Sequence, residues 1–326
     1  MTDANALLFS VLAAAVPVLL YAGLIYWVDR YEKEPLWLLS AAFLWGAIPA
    51  ALLALLFNAL LSAPFYLLLE RGPAELVSGA VIAPVVEETV KALVLFGILF
   101  LWRHELNSPL DGIIYGAMVG MGFAMVENVL YYLSAFQDGG QAAWTGLVIV
   151  RGLIFGLSHA LYTSLTGLGV AAARLGPNRL VRFIAPLAGL GAAIALHAFH
   201  NAAMFAGNAL GFLAGLTFDW GGVILTALII ALALYQERRW MERYLADEVA
   251  LGTMTAEEYD LVRSATRRNR TRMGVLLSQG PGAYRRSGRR YRECSELAYH
   301  KRHHAIFSDE FSLRAAEQLR EKLSRG

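Results

Sequence analysis

Ionisable and amide side chains are rare in the first 236 residues of the chain, but a small group of them could together hydrolyse an amide bond. The group consists of Glu87, Glu88, Lys91, Glu127, Asn128, His159, Thr163, His197, His200 and Asn201. Carboxylates act as general bases that activate water, and neutral imidazoles ligate zinc or help to stabilise an oxyanion. These residue types therefore indicate hydrolytic chemistry.

Spacing within this group adds to the residue types. Lys91 follows Glu87 by four positions and Glu88 by three, so on a helix its ammonium can reach either carboxylate. One glutamate would then stay ionised beside Lys91 while the other exchanges a proton with water or substrate, which is how paired carboxylates acquire different roles. An ion pair that only fixes helix register is the structural alternative.

Two versions of the same hydrolysis fit these residues. In the first, His159 and His197, with Glu127 or His200, ligate Zn²⁺, and Glu87 or Glu88 is the general base. In the second there is no metal: a glutamate activates water directly, and a histidine with Asn201 stabilises the oxyanion. His200 could equally be a structural histidine bonded to the backbone.

The elements that must position these residues are membrane-spanning helices. The 326 residues are 57% hydrophobic and only 17% charged, and the mean hydropathy of +0.48 excludes a soluble globule. Apolar runs long enough to cross about 30 Å of hydrocarbon occur seven times. They cover residues 6–28, 36–60, 73–102, 111–136, 144–175, 180–208 and 210–235, and residues 61–69 either extend the second or lie at the interface.

The prediction is therefore an all-α, polytopic transmembrane helix bundle of about seven spans with a partly helical soluble tail. We expect a transmembrane domain at residues 1–236 and a basic tail at residues 237–326, since only nine of the 28 Lys and Arg residues precede residue 237. Cys294, in the tail, is the single cysteine, so no intramolecular disulfide can form.

Depth within the membrane links the candidate residues. A charged side chain at a helix centre costs about 2.5 to 3.5 kcal/mol even on insertion scales, so each one needs a reason. Counted from the span midpoints, five ionisable residues share one layer: Glu87, Glu88, Glu127, His159 and His197. Glycines at positions 112, 116, 120 and 122 would let neighbouring helices approach closely and bring these side chains together.

The charges of the short loops set the expected orientation. Lys and Arg concentrate in alternate loops, which predicts an N-terminus outside, a retained first span and a cytoplasmic tail in a multi-pass plasma (cytoplasmic) membrane protein. Arg151 is expected to snorkel from the outer end of its span, and Asp219 with Trp220 to mark a helix break or an interface.

The tail combines helix signals with basic clusters. Thr255 and Glu258 have the form of a capping box, and residues 267–272 and 285–292 are basic, with Gly280, Pro281 and Gly282 between them. Contact with anionic lipid or with a cytosolic partner is expected for such a tail. The pI of 8.6 averages two unlike parts, so no nucleic-acid partner is expected.

Several established protease signatures are absent: the sequence has no H-E-x-x-H, no G-x-G-D and no G-x-S-G. Instead, five short motifs in order resemble the PrsW family of intramembrane proteases, which is itself similar to the CAAX-protease and bacteriocin-processing membrane proteins. The motifs are DRYEKEP at residues 29–35, Glu87-Glu88-x-x-Lys91, Phe123-x-x-x-Glu127-Asn128, His159-x-x-x-Thr163 and His197-x-x-x-Asn201.

The resemblance implies an integral membrane endopeptidase that cleaves membrane-anchored proteins, as in regulated proteolysis of an anti-sigma factor. By matched positions, Glu87 and Glu88 would be the essential carboxylates, Glu127, His159 and His197 would complete the site, and Asn201 would support it. The family name implies a metalloprotease, whereas the similarity to CAAX proteases implies a metal-free glutamate. The tail after Tyr235 lies outside the resemblance.

Two other classes of protein are compatible with parts of the pattern. A proton- or ion-coupled transporter also concentrates Glu, His and Asn at the midplane, although no second copy of PVVEETVK suggests the internal repeats common in transporters. A catalytically inert scaffold would depend on its tail and not on the glutamates.

Overall fold

The structure, a computed structural model, describes residues 3–176 and 178–325, which form helices, turns and bends with no β-strand among them. The α-helices are α1 (Asp3–Val28), α2 (Leu36–Trp45), α3 (Ala51–Leu68), α4 (Arg71–Val77), α5 (Ala83–Leu101), α6 (Pro109–Leu147), α7 (Ser158–Leu175), α8 (Arg179–Phe205), α9 (Ala209–Tyr244), α10 (Ala246–Ala250), α11 (Ala256–Val262), α12 (Ala265–Phe307) and α13 (Glu310–Ser324). The all-helical prediction is confirmed for these residues.

Wide π-helical turns interrupt the helices at three places in the apolar part: Gly46–Ala50, Ser78–Ile82 and Val148–Ile154. Such turns are rare and occur often at functional sites, because the extra residue changes the direction in which the following side chains point. The second turn leads directly into α5, which carries Glu87 and Glu88, and the third carries Arg151.

Five helical runs among the described residues are long and apolar enough to cross a membrane: Asn5–Val28, Leu36–Leu68, Pro109–Leu175, Arg179–Phe205 and Ala209–Ala250. The predicted count of seven differs for two reasons. The predicted fourth and fifth spans lie within the single run of 67 residues, and the predicted third span, which contains α5, is not among the five. That span carries Glu87, Glu88 and Lys91 within five positions.

The long run reverses direction inside α6. Gly140 has φ of 65° and ψ of −157°, a conformation that only glycine adopts readily. Contacts pair residues on either side of it: the rings of Tyr132 and Trp144 lie 6.4 Å apart, and Arg151 binds Asn128. The segments before and after Gly140 are therefore antiparallel neighbours.

Glycines also set the distance between α6 and α7. A Cβ added at Gly112 would lie 2.2 Å from the carbonyl oxygen of Gly167, and one at Gly120 would lie 2.2 Å from that of His159. Gly122 approaches the carbonyl of Phe43 in α2 equally closely. The prediction that these glycines permit close helix packing is confirmed, and α6 is central to the bundle because it contacts helices on two sides.

Helix α6 begins at a sequence signal that the span count did not use. Ser108 caps the helix by accepting from the backbone N–H of Leu110, Pro109 stands at the first helical position, and Asp111 accepts from the Ser108 backbone N–H at 2.7 Å. This capping box satisfies backbone donors that would otherwise be orphaned at a buried helix end.

The chain divides into two compact units. The first comprises residues 1–28 and 34–228, and the second comprises residues 29–33 and 229–326. We call the second the tail unit. Its core is formed by Tyr31, Met241, Leu245, Met254, Val262, Ala265, Cys294, Leu297, Ala298, Tyr299, Ala316 and Leu323. The expected capping box of Thr255 and Glu258 is confirmed at the start of α11.

A buried carboxylate fastens α13 to the rest of the tail unit. Glu248 is fully buried and accepts from Arg320 Nη2 at 2.6 Å and from Lys301 Nζ at 2.6 Å. Burial by itself would raise the pKa of this carboxyl, but hydrogen bonds from Arg320 and Lys301 lower it to about 2. The ion pairs therefore stabilise the unit whenever Glu248 is ionised.

Glu248→Gln is expected to reduce the stability of the tail unit by about 1–3 kcal/mol at pH 7, because it removes the charge that Arg320 and Lys301 share. Since the folded pKa lies below the usual value of 4.5, the stabilisation exists above about pH 4.5 and is lost as the pH falls towards 2. Hydrogen exchange of α10 and α13 in the full-length protein should show that the stability difference between wild type and Glu248→Gln decreases as the pH falls from about 4.5 towards 2. The matched control is Glu310→Gln, whose exposed pair with Arg314 contributes little.

Candidate functional site

Glu88 is the most enclosed carboxylate in the apolar part of the chain, with no exposed surface. Its Oε1 accepts from Lys91 Nζ at 2.8 Å and lies 3.1 Å from His197 Nδ1, and its Oε2 accepts from Thr163 Oγ1 at 3.0 Å. These partners come from α5, α8 and α7. Glu88 therefore joins three helices and keeps neither oxygen for a substrate.

Lys91 is also fully buried and is the cation of the cluster. Besides Glu88, its ammonium lies 3.1 Å from His159 Nδ1, 3.7 Å from Glu87 Oε2 and 3.8 Å from the centre of the Phe123 ring. A buried ammonium is tolerated only when acceptors surround it. The expectation that Lys91 reaches both glutamates is confirmed by these distances.

Glu87 differs from its neighbour in having an uncommitted oxygen. Its Oε1 accepts a long hydrogen bond of 3.4 Å from Asn58 Nδ2, whereas the buried Oε2 has no hydrogen-bond partner among the described residues. Lys91 and His197 lie 3.7 and 3.9 Å from Oε2, beyond hydrogen-bond distance. Glu87 therefore offers an oxygen that could hold a proton, a water or a metal ion.

Glu127, on α6, pairs with His159 of α7. Its Oε2 lies 2.7 Å from His159 Nε2 and 2.6 Å from Arg151 Nη2, and Arg151 Nε donates to Asn128 Oδ1 at 2.9 Å. The expectation that Arg151 snorkels is wrong. The wide turn at Val148–Ile154 and the reversal at Gly140 return Arg151 to α6, where it finds a carboxylate.

Each histidine of the cluster has a carboxylate on one ring nitrogen: His197 Nδ1 faces Glu88, and His159 Nε2 faces Glu127. Metal-binding histidines commonly hold a carboxylate in this way, which orients the ring and makes the other nitrogen a better ligand. One ligand atom from each of Glu87, His159 and His197 lies within 4.8 Å of the others. Carboxylate and imidazole groups are zinc ligands, and His197 Nε2 is not taken by Glu88, but His159 Nδ1 also lies 3.1 Å from the Lys91 ammonium, which would have to move away from a bound ion.

A cavity of about 240 Å³ opens beside the cluster. Its polar lining consists of Glu87, Glu127, Asn128, Tyr131, Arg151, Ser158, His159, Tyr162, His197, His200 and Asn201. A second cavity, of about 340 Å³, lies among α3, α5 and α6 and shares Glu87, Glu127 and Tyr131 with the first. Glu87 and Glu127 therefore border both spaces, whereas Glu88 borders neither.

Asn201 and His200 line the cavity, but their hydrogen-bonding partners are not Glu87, Glu88 or Glu127. Asn201 Nδ2 donates to the carbonyl of Gly79 at 2.8 Å, which ties α8 to the wide turn before α5. The ring of His200 packs on Phe155 at 4.8 Å, and its Nδ1 lies 2.9 Å from Asp219 Oδ2.

Asp219 is a member of this region that the sequence analysis missed. It is buried inside the uninterrupted helix α9, so its interpretation as a helix break is wrong. Tyr162 donates to it at 2.9 Å, Ser158 also donates to it, and the Tyr162 ring stacks on His197 at 4.9 Å. A lone Asp in an apolar span was the available signal, because such a residue requires polar partners.

The structure thus brings together four of the predicted residues directly: Glu87, Glu88, His159 and His197. Glu127 joins them through His159, and Asn201 shares the cavity. Of the predicted metal ligands, which were His159 and His197 with Glu127 or His200, only His159 and His197 belong to the compact donor set. The third member of that set is Glu87, and Glu127 is paired with His159 and Arg151.

These features define a multi-helix membrane protein with an acidic and histidine-rich site buried among its helices. The family model described as "PrsW family intramembrane metalloprotease" matches residues 34–233. The chain belongs to this family. The match includes every site residue described above and ends before most of the tail unit.

Curated relatives agree with this family. The chain is 38% identical over 128 residues to Protease PrsW of Clostridioides difficile (strain 630), covering 39% of this chain and 52% of the relative. It is 34% identical over 163 residues to Protease PrsW of Geobacillus kaustophilus (strain HTA426), covering 49% and 65%. The matches thus span about half to two thirds of these relatives. No solved structure matches the chain.

The two adjacent glutamates should respond differently to loss of charge. Glu87→Gln is expected to cost less stability, about 1 kcal/mol, because it removes a charge 3.7 Å from Lys91 Nζ but breaks no hydrogen bond of Oε2 among the described residues. Glu88→Gln should destabilise by about 3 kcal/mol, because it leaves Lys91 without its closest counter-ion. Thermal unfolding of both variants in the same detergent measures the difference, and equal effects would contradict these assignments.

Asp219→Asn is expected to destabilise by about 1–3 kcal/mol, because an amide nitrogen would face hydroxyl donors in a buried site. Thermal unfolding checks this, with Asp138→Asn as control, since Asp138 is exposed and, within residues 3–176 and 178–325, accepts a hydrogen bond only from Ser134, at 3.2 Å. An Asp219→Asn protein as stable as wild type would show that the buried network contributes nothing.

Proposed function

We propose that this protein is an intramembrane endopeptidase that hydrolyses a peptide bond in a membrane-anchored protein. The observation that carries the proposal is the free, buried Oε2 of Glu87 beside two histidines that carboxylates hold in place. Family membership supports the reaction class. The whole protein's activity, its substrate and its partners are part of this proposal.

Glu87 is the proposed proton acceptor, since it is the least compensated of the three carboxylates. Its Oε2 takes a proton from the attacking water as the water oxygen bonds to the carbonyl carbon, and returns the proton to the leaving amine nitrogen as the C–N bond breaks. Glu88 and Glu127 already hold hydrogen bonds and counter-ions, so they act on the histidines and not on water.

The donor set of Glu87, His159 and His197 supports a metal-dependent form of the same reaction. A zinc ion held there would lower the pKa of its bound water and polarise the scissile carbonyl. In that form Glu87 would help to hold the metal and would also accept the proton of the attacking water; in the metal-free form Glu87 would act as the base only. Glu88 and Glu127 orient the imidazoles of His197 and His159 in both forms.

The cavity supports a role for other residues in substrate binding. Arg151 and Asn201 bring a cation and an amide to the cavity that Glu87 lines. Hydrogen bonds to Glu127 and to the Gly79 carbonyl fix the orientation of these two side chains, so that they can contact and position an extended peptide. Asn201 and one of the histidines remain the proposed oxyanion donors in the metal-free form.

The proposed membrane arrangement follows the sequence. Residues 1–236 form the transmembrane protease domain with seven crossings, the N-terminus lies outside, and residues 237–326 form a cytoplasmic tail in the plasma membrane. A transmembrane anti-sigma-type factor is the proposed substrate, with regulated proteolysis as the setting. The transporter alternative is not favoured, because the family that matches the chain is a protease family.

Glu87→Gln should reduce cleavage about 100-fold or more, because the proton acceptor or ligand is lost while the fold is kept. Comparative membrane proteomics would detect protein N-termini near apolar segments that are present in cells producing wild type and lost in cells producing Glu87→Gln. Glu70→Gln is the control, since Glu70 is exposed outside the site. Unchanged N-termini in the Glu87→Gln cells would refute the proposal, and a transporter would give no wild-type-specific N-termini.

Metal analysis of the purified protein separates the two chemical forms. The metal-dependent form predicts about one zinc per chain, lost in His159→Ala and in His197→Ala and kept in His104→Ala, whose side chain is 58% exposed. Removal of zinc should then abolish cleavage. A zinc-free protein that cleaves at full rate would leave Glu87 as the base without a metal.

A further inference from the structure

The tail unit contains a cavity of its own, of about 540 Å³, with a strongly basic lining. Its charged lining residues are Arg272, Arg285, Arg289, Arg292, Lys322, Glu293 and Glu296. Five cations against two carboxylates leave a formal excess of three positive charges. This cavity lies beyond residue 233, where the family match ends, so the proposed protease chemistry does not account for it.

Three of the arginines present uncompensated charge. Arg285, Arg289 and Arg292 lie at i, i+4 and i+7 of the second half of α12, which is one helix face. Their exposed side chains take part in no hydrogen bond or ion pair among the described residues. Lys322, by contrast, is paired with Glu293 at 2.7 Å. Like charges at this spacing repel one another unless an anion lies between them.

A fourth arginine is positioned from the opposite half of α12. Gly280 has φ of 79°, and contacts of Arg268 with Ser295 and of Arg272 with Tyr284 join the two halves, so α12 is a helical hairpin. The Arg272 guanidinium lies 4.2 Å from the Tyr284 ring centre, and its buried Nε has no hydrogen-bond partner within the part of the chain that the structure describes. Buried guanidinium donors normally have acceptors.

Gly288 makes room for this guanidinium. A Cβ added at Gly288 would lie 2.4 Å from Arg272 Nη2, so a larger residue there would displace the Arg272 side chain. The hairpin, the aromatic ring and the glycine together hold Arg272 at the cavity, where the three exposed arginines converge from the facing half of α12.

We propose that this cavity binds a phosphate-bearing anion. Guanidinium groups match phosphate oxygens in bidentate geometry, and several arginines around one space suit an anion with more than one charge. The cavity volume is within the range of small-molecule sites and large enough for a phosphate ester. Such a group could come from an anionic lipid headgroup or from a soluble phosphorylated compound, since the two share this chemistry.

The test uses the full-length protein in detergent and needs no protease activity. Isothermal titration with inorganic pyrophosphate probes the soluble source, and native mass spectrometry with phosphatidylglycerol against phosphatidylcholine probes the lipid source. The triple variant R285Q/R289Q/R292Q should weaken binding of the preferred probe about tenfold or more. The control R267Q/R270Q/R286Q changes the charge of α12 equally at exposed positions outside the cavity and should bind like wild type.

Gly288→Ala tests the built geometry without changing charge. It should weaken binding severalfold, because the added Cβ displaces the Arg272 guanidinium. Thermal unfolding of each variant confirms that the tail unit is intact. Binding of pyrophosphate alone identifies a soluble ligand, and selective binding of phosphatidylglycerol alone identifies a lipid. Absence of binding in both arms, or equal loss in the cavity and control variants, would overturn the proposal.

Discussion

The apolar part of the molecule depends on the pairing of the buried Lys91 ammonium with its acceptors, above all Glu88. A cation with no exposed surface, on a helix among apolar neighbours, is stable only because acceptors from three elements surround it. Glu88 supplies its closest contact and is itself held by Thr163 and His197. The polar cluster thus fixes the register of α5 against α7 and α8 and at the same time leaves Glu87 with an uncommitted oxygen.

Close backbone packing makes such a cluster possible. The glycines of α6 let α7 approach until a Cβ would collide with its carbonyls, which carries His159 to Glu127 and Lys91. The wide π-helical turns then adjust the direction of two segments, one leading into α5 and one carrying Arg151. Irregular backbone of this kind is tolerated in a membrane where protein or a cavity, and not lipid, surrounds it.

The tail unit is stabilised differently. Its core is small, and ion pairs of the buried Glu248 and the half-buried Glu258 link its helices. Burial raises the pKa of Cys294 to about 12, so this thiol is a core side chain and not a reactive one. Three arginines of α12 that have no ion-pair partner among the described residues, Arg285, Arg289 and Arg292, line the basic cavity.

Much of the architecture could be predicted from the sequence, because a helix that crosses a membrane must consist mainly of apolar residues and such runs are visible in the sequence. The sequence alone showed the apolar runs, the concentration of Lys and Arg after residue 236 and the capping box at Thr255. The high free-energy cost of a charge inside a membrane also identified Glu87, Glu88, His159 and His197 as candidate site residues. Local spacing also paired Lys91 with both glutamates, because residues three and four apart share a helix face.

Only the tertiary structure decided which groups meet across helices. Spacing along one helix carries no information about its neighbours. The pairing of Glu127 with Arg151, the network of Asp219, and which of Glu87 and Glu88 keeps an uncommitted oxygen could therefore not be predicted. Each depends on the reversal at Gly140 or on the packing distance between helices. The sequence determined which side chains require partners, and the packing of the helices determined which partners they have.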